Sequence, residues 1–428
     1  MPGRIVLYGA TGYIGELTAR AMVAARARPV LAGRNQDRLN AAAARLAQTG
    51  EGGELETAVA DIERPGPLRR LLGAGDVLVS TAGPFVKVGW SAVAAAVDAG
   101  AIYLDSSGEP PFIRRVFEEF GPRAERTGAV LLTAFGYDYV PGNLAGALAL
   151  EAAGPAASRV DVGYFVRGNI RKGTSAGTRA SVAGVLLEPG YAFRGGRVVA
   201  ERTAARLMSF QIDGTKRPGF SIGSSELFAL PRLRPRTAGT GGVLVQAPLT
   251  EVGVYLGWYG AATRLVHYAS TLAAPLDRLP GVHRVLDRQA RRIQRSRAGP
   301  SMGDAIGSDV VAVAGDANGR TLAVTHLSGG DPYSFTAPML AWAAGRAATQ
   351  GVRPAGALGP VEAFGAGQPR ERLRRRGISS RASPLSVSMM CQAVALPRRP
   401  LGRSSPGGHD RRQCSGAIVK TWPPGAMK

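Results

Sequence analysis

The chain has 428 residues, 45% of them hydrophobic and 20% charged, long enough for two or three domains and apolar enough for a core without disulfides. Its net charge of +22 raises nucleic acid as a partner. Against that, half of the excess lies in residues 366–428 and no basic stripe with interleaved aromatics runs through the rest, so nucleic-acid binding is set aside. Residues 1–365 hold no Cys and only His267, His283 and His326, which excludes a thiol nucleophile, an iron–sulfur cluster and a Cys-type zinc site there and leaves little for a His-rich metal site.

Continuous apolar runs at 5–8, 29–32, 57–60, 77–80, 101–104 and 130–133 alternate with helical patterns at 14–26, 36–48, 67–72, 90–99 and 112–127. Unbroken apolar strands separated by helices predict a parallel sheet covered on both faces, so the fold class is α/β, with an N-terminal doubly wound Rossmann sheet of six strands. Asn35 is the expected cap of the second helix and Asn143 that of a helix running to about 152. Beyond it, more alternating segments at 159–166, 198–202, 220–221, 253–255, 309–314 and 321–326 predict an α+β substrate domain, with helical character over 256–297 and a last helix at 337–348 that packs back on the first domain. The expected division is 1–140, 141–335, 336–365 and a basic tail, 366–428, without sustained periodicity and so expected to be disordered.

No charged segment followed by an apolar stretch precedes the first strand, and the most apolar stretch, 130–150, is interrupted by Asp138, Pro141 and Asn143. The expectation is a cytoplasmic protein, with peripheral contact at the inner face of the plasma membrane compatible with the Arg-dotted stretch 255–276.

Gly9-Ala10-Thr11-Gly12-Tyr13-Ile14-Gly15 joins the first strand to the first helix. In that context Gly9 permits the tight turn, Gly12 lets the backbone approach a pyrophosphate and Gly15 allows close helix–strand contact, with the helix N-terminus facing the phosphates. A dinucleotide site specific for NAD places a carboxylate about 20 residues on. Here Arg34 ends the second strand and no carboxylate sits beside it until Asp37, so a 2′-phosphate and NADP(H) are expected. Further strand ends on the same edge supply Asp61 for the adenine, Ala82-Gly83-Pro84-Phe85 for the nicotinamide ribose, and Ser107 and Gly108 within Asp105–Glu109.

These motifs, with Gly136-Tyr137-Asp138-Tyr139-Val140-Pro141-Gly142-Asn143 after the sixth strand and Ser225–Pro231 in the second domain, resemble the saccharopine dehydrogenase-like oxidoreductases, most of all the trans-acting enoyl reductase branch of glycolipid synthesis. The resemblance covers about 1–365. It implies an NADP-binding Rossmann domain, a substrate domain inserted before the final helix, and hydride transfer to or from a lipid-like or amino-acid-like substrate. Where relatives often carry a Cys before the fifth strand, this chain has Ala96-Val97.

Hydride transfer needs a proton donor near the domain boundary. Tyr137, Asp138 and Tyr139 qualify by position as catalytic residues, although Asp138 could equally orient its loop, and Glu109 could touch substrate or hold a turn. A small-residue nest at 173–178, beside Lys172, is a candidate for an anion. An amino-acid substrate would need a basic cluster, for which Arg167, Arg171, Lys172, Arg179 and His267 are available. An acyl chain would need an apolar trough, for which Val182, Val185–Leu187, Tyr191, Phe193, Val252, Val254, Tyr255 and Trp258 are available. The leading expectation is an NADPH-dependent reductase of a lipid or polyketide intermediate acting on a small-molecule substrate, with a homodimer compatible. The alternatives are a saccharopine-type amino-acid dehydrogenase and a non-catalytic, membrane-associated nucleotide-binding protein. No metal is expected.

Overall fold

The computed structural model describes residues 2–48, 53–61, 65–168, 190–233, 248–273 and 307–366, and the backbone of 379–384. Its N-terminal half is built on strands β1 (Ile5–Tyr8), β2 (Val30–Gly33), β3 (Thr57–Val59), β4 (Val77–Ser80), β5 (Ile102–Asp105) and β6 (Val130–Leu132). Every residue of β1, β2, β4, β5 and β6 is buried, as continuous apolar runs require when helices cover both faces. All neighbours pair parallel, so the order 3-2-1-4-5-6 reverses between β1 and β4. That reversal opens a crevice at the carboxyl ends of the strands, where ligands of such sheets bind.

The expected six strands become seven. Gly356–Ala357 adds a parallel edge strand to β6, too short to leave a periodic signal. Helix α1 (Tyr13–Ala24) follows the glycine turn, and α2 (Gln36–Ala47) is capped by Asn35, whose Oδ1 accepts the Arg38 N–H at 2.9 Å. Asn143 is not the cap that its sequence position suggests. The helix begins at Val140 with Pro141 in its first turn, and the Asn143 amide instead donates back to the Tyr139 carbonyl at 3.0 Å.

The second sheet is mixed. Its core is Arg159–Arg167, parallel to Glu251–Leu256 on one side and antiparallel to Gly307–Gly315 on the other, which in turn pairs with Thr321–Gly329. Leu207–Ile212 and Thr215–Ser221 form a hairpin beyond Glu251–Leu256, and Tyr191–Arg194 pairs with Arg197–Ala200. Helix Pro332–Gln350 leaves the sheet and packs along α1, its Ala348 carbonyl accepting the Gly3 N–H at 2.8 Å. Helical structure within 256–297 is described for Thr263–Ala273, whereas Glu251–Leu256 is strand.

One part of the tail departs from expectation. Ser379–Pro384 pairs antiparallel with Thr321–Gly329, satisfying the N–H and C=O groups of what would otherwise be an open edge. The other residues of 367–428 lie outside the described residues, as do Lys172, Arg171, Arg179, the 173–178 nest and Val182 through Leu187.

Candidate active site at the domain boundary

The glycine turn has the geometry that a diphosphate needs. Gly9 adopts φ +81°, and a β-carbon on it would press on Thr81 Oγ1 and the Ala82 N–H at 2.9 and 3.0 Å. A β-carbon on Gly15 would fall on the Gly9 carbonyl, so α1 can lie this close to β1 only with glycine there. Gly12 is the N-cap of α1, is exposed, and brings no side chain to the first turn. Thr11 and Ile14 are partly buried and Tyr13 is 48% exposed. The first-turn amides of α1 therefore face the crevice without a side-chain cap, the arrangement that takes an anion.

Arg34 stands at the end of β2, exposed, with no hydrogen bond or ion pair among the described residues. Asn35, not Arg34, does the capping. The Ala60 N–H donates to the Gly33 carbonyl at 2.9 Å, holding Asp61 beside this strand end.

At the ends of β4 and β5 two carboxylates organise the backbone. Glu109 accepts the N–H groups of Phe85 and Val86, each at 2.9 Å. It thereby fixes the turn that follows Ala82, Gly83 and Pro84, and the choice left open for Glu109 is resolved toward holding a turn. Burial raises its carboxyl, and the two N–H bonds and Lys87 offset part of that rise. Phe85 does not face the crevice: its ring is buried at 5.5 Å from that of Phe112. Asp105 accepts the N–H groups of Ser107 and Ala134 and the Thr133 hydroxyl, all at 2.8 Å, tying β5 to β6. Burial pushes it up to about 6 against those bonds. Ser107 is fully buried and its hydroxyl accepts the Glu109 N–H, so it shapes the loop that presents Gly108.

The three residues singled out after the sixth strand separate in role. Asp138 keeps some exposed surface, makes no hydrogen bond among the described residues, and lies over Gly108, where a β-carbon would come within 3.1 Å of its Oδ2. It does not tie the loop to backbone N–H groups, and burial pushes its carboxyl up to about 6. The Tyr137 N–H donates to Thr336 Oγ1 at 3.1 Å, and its buried hydroxyl lies beside Ser308 in the lining of a groove. The neighbouring Ser308 hydroxyl is committed to the Gly330 carbonyl at 2.8 Å. Burial raises Tyr137 far above the ordinary phenol range, and Tyr139 likewise. The Tyr139 ring packs edge-on against Tyr164.

This shallow open groove runs from Tyr137 and Pro141 to Val310, Leu327 and Phe335, with Ser308, Ser328, Ser334 and Asp331 also in its lining and no Lys, Arg or His among the described residues that line it. Among the described residues, those proposed for either substrate class do not converge on this groove. Arg167 is paired with Asp309 at 3.1 Å, and His267 Nδ1 is bonded to the Ala204 carbonyl at 2.7 Å. Tyr191, Phe193, Val252 and Val254 belong to the main core and Tyr255 to a separate cluster with Phe165 and Phe210.

Sequence reasoning missed Glu226 and Tyr164. Both are buried, and the Tyr164 hydroxyl donates to Glu226 Oε1 at 2.5 Å. A Glu opening the apolar run Leu227–Leu230 was the available signal.

Residues 5–132 match the family model of the saccharopine dehydrogenase NADP binding domain. The match covers the N-terminal domain. NADP(H) is its cofactor, and the bare glycine turn and unpaired Arg34 fit a dinucleotide with a 2′-phosphate. A provisionally named trans-acting enoyl reductase of Mycobacterium tuberculosis (strain ATCC 25618 / H37Rv) is 37% identical over 186 residues, 42% of this chain and 44% of the relative. A trans-acting enoyl reductase of Mycobacterium leprae (strain TN) is 39% identical over 142 residues, 33% of this chain and 34% of the relative. The matches thus span less than half the length of these relatives. Among solved structures, a meso-dapdh variant from Clostridium tetani E88 is 14% identical, covering 87% of this chain and 98% of that one, with a TM-score of 0.39. Among the described residues no helix is long and apolar enough to cross a membrane.

Proposed function

We propose that the protein is an NADP(H)-dependent oxidoreductase that reduces a lipid- or polyketide-type intermediate, with Asp138 as the proton-handling group. The observation that carries this is the Asp138 carboxyl: unpartnered, partly exposed, pushed up to about 6, and set over Gly108 at the strand end where the nicotinamide half of a dinucleotide lies in such sheets. A carboxyl titrating near the working pH suits a general acid or base. When bound, NADP(H) supplies or takes up the hydride. Gly9, Thr11, Gly12, Tyr13, Ile14 and Gly15 receive its diphosphate, Arg34 its 2′-phosphate, and Asp61, Ala82, Gly83, Pro84 and Gly108 line its path, while Glu109, Ser107 and the Phe85 backbone hold that path in shape. Asp138 delivers a proton to the substrate and regains it from solvent through its exposed edge. Tyr137 walls the groove and Tyr139 anchors the loop.

The apolar walls and hydroxyls of the groove, among the described residues, support an apolar substrate. The trans-acting enoyl reductase names of the relatives point the same way. Leu265, Tyr268 and Leu272 stand exposed on one face of helix Thr263–Ala273, beside Arg264 and with no acidic residue on the helix, which supports peripheral contact with an anionic membrane. The test is NADPH consumption by the purified chain offered 2-enoyl thioesters, ketones, imines and amino acids. Turnover with an enoyl thioester is expected, and turnover confined to amino-acid substrates would replace this reading with the amino-acid dehydrogenase.

A further inference from the structure

Glu226 has no place in the chemistry above, yet it is fully buried at the junction of the two domains. It opens the helix Glu226–Arg232, and its carboxyl lies against the first turn of the helix Val140–Ala153, where a β-carbon on Gly142 would fall on both Glu226 Oε1 and the Tyr164 hydroxyl. Two connected paths lead from this point to the loop that carries Asp138. Along one, the Tyr164 hydroxyl, bonded to Glu226 Oε1 at 2.5 Å, also lies 3.4 Å from the Tyr139 carbonyl. Along the other, the Asn143 amide donates at 3.0 Å both to the Tyr139 carbonyl and to the hydroxyl of Ser225, the residue before Glu226. The Tyr139 carbonyl, which also accepts the Asn143 N–H of its own helix at 3.1 Å, is thus linked to the second domain, one residue from Asp138.

We propose that Glu226 is a positioning residue for Asp138, acting through Tyr164 and the Tyr139 main chain to hold the Asp138 carboxyl over Gly108. This rests on the reading of Asp138 as the proton-handling group. The polar groups around Glu226 are Tyr164 and Tyr191 from the second sheet, Asp138 and Tyr139 from the loop, and the neighbouring Ser224 and Ser225 hydroxyls, with Arg114, 5.9 Å over the Tyr191 ring, and Glu118 as the nearby charges. Burial pushes Glu226 up to about 8, and the Tyr164 bond offsets part of that rise. Asp138, at about 6, therefore ionises first, and Glu226 keeps its proton while Asp138 is charged. Two carboxyls that interact this way titrate as one system, so the ionisation of either registers on the other.

The test needs no turnover. In the full chain, labelled with ¹³C at the Asp and Glu side-chain carboxyls, the Asp138 signal is assigned by its loss in Asp138→Asn and followed against pH. A main step near 6 and a smaller one near 8 are expected in the wild type. Glu226→Gln, which still accepts from Tyr164, keeps the first step and loses the second. Tyr164→Phe loosens this link and moves the first step toward the ordinary carboxylate range by about half a pH unit or more. An Asp138 titration identical in wild type, Glu226→Gln and Tyr164→Phe overturns the proposal. If Tyr164→Phe does not fold, Glu226→Ala, which removes the acceptor of the Tyr164 hydroxyl, decides by the same shift of the first step, and an unmoved first step overturns the proposal. A chain that passes this test but consumes no NADPH loses the reductase reading and keeps the coupling.

Discussion

Glu109 accepts the N–H of Phe85 at 2.9 Å across 24 residues of sequence, so one carboxylate fastens the turn after β4 to the loop after β5. With its second bond, from Val86, it is fully committed to backbone. Glu109→Ala strands two N–H groups in a largely buried turn and is expected to lower stability by about 3–6 kcal/mol, since hydrogen bonds to a charged group contribute roughly 1.5–3 kcal/mol each. Glu109→Gln keeps one acceptor and should lose about half as much. Denaturant unfolding reads both, and a neutral Glu109→Ala would show that the turn is held by other contacts.

Gly12 and Gly15 separate binding from folding. A β-carbon on Gly12 meets only the Gly9 carbonyl, at 3.4 Å, whereas one on Gly15 collides with it. Gly12→Ala is expected to leave the thermal midpoint unchanged and weaken NADPH binding tenfold or more, roughly 1.4 kcal/mol. Gly15→Ala is expected to lower both. Fluorescence titration of NADPH alongside thermal unfolding distinguishes them.

Arg34→Ala should shrink the preference for NADPH over NADH by ~1–3 kcal/mol, the range for a lost hydrogen bond to a charged group. Binding of NADH should change little. Equal losses for both nucleotides would place Arg34 away from the 2′-phosphate.

On the proposed mechanism, reduction uses Asp138 in its protonated form. Its carboxyl is raised to about 6, so the reductive rate should fall about tenfold per pH unit above that value. Asp138→Asn should abolish that dependence along with most of the rate.

Stability should also fall as pH rises. Asp105, Asp138 and Glu226 are raised to about 6, about 6 and about 8 from the ordinary carboxyl values of 3.8, 3.8 and 4.5. The folded state therefore binds their protons more tightly than the unfolded state does. Their favourable contribution is complete below the unfolded values and is lost as pH rises through the folded ones. Between about pH 4 and pH 8 stability is expected to fall by several kcal/mol. Glu226→Gln should flatten the upper part of the curve in urea unfolding.

Much of this was legible because sequence and geometry share one cause. The runs at β1, β2, β4, β5 and β6 are unbroken because both faces are buried, and Gly9, Gly12 and Gly15 stand where a side chain would block the turn, the ligand or the helix. The roles of Asp105 and Glu109 were not legible, because a carboxylate at a strand end looks the same whether it binds a ligand or its own backbone. Glu226 and Tyr164 sit 62 residues apart and meet only through tertiary packing. Gly356–Ala357 and Ser379–Pro384 become strands because a neighbouring edge is open to them, which no local pattern records.

The most direct measurement is NADPH consumption by the purified chain with a 2-enoyl thioester, comparing wild type with Asp138→Asn under conditions where both bind NADPH. The account predicts turnover that falls at least about 100-fold in the variant, the scale of general acid catalysis, with NADPH affinity preserved. A variant as active as the wild type, or a wild type that binds neither nicotinamide dinucleotide, would contradict it.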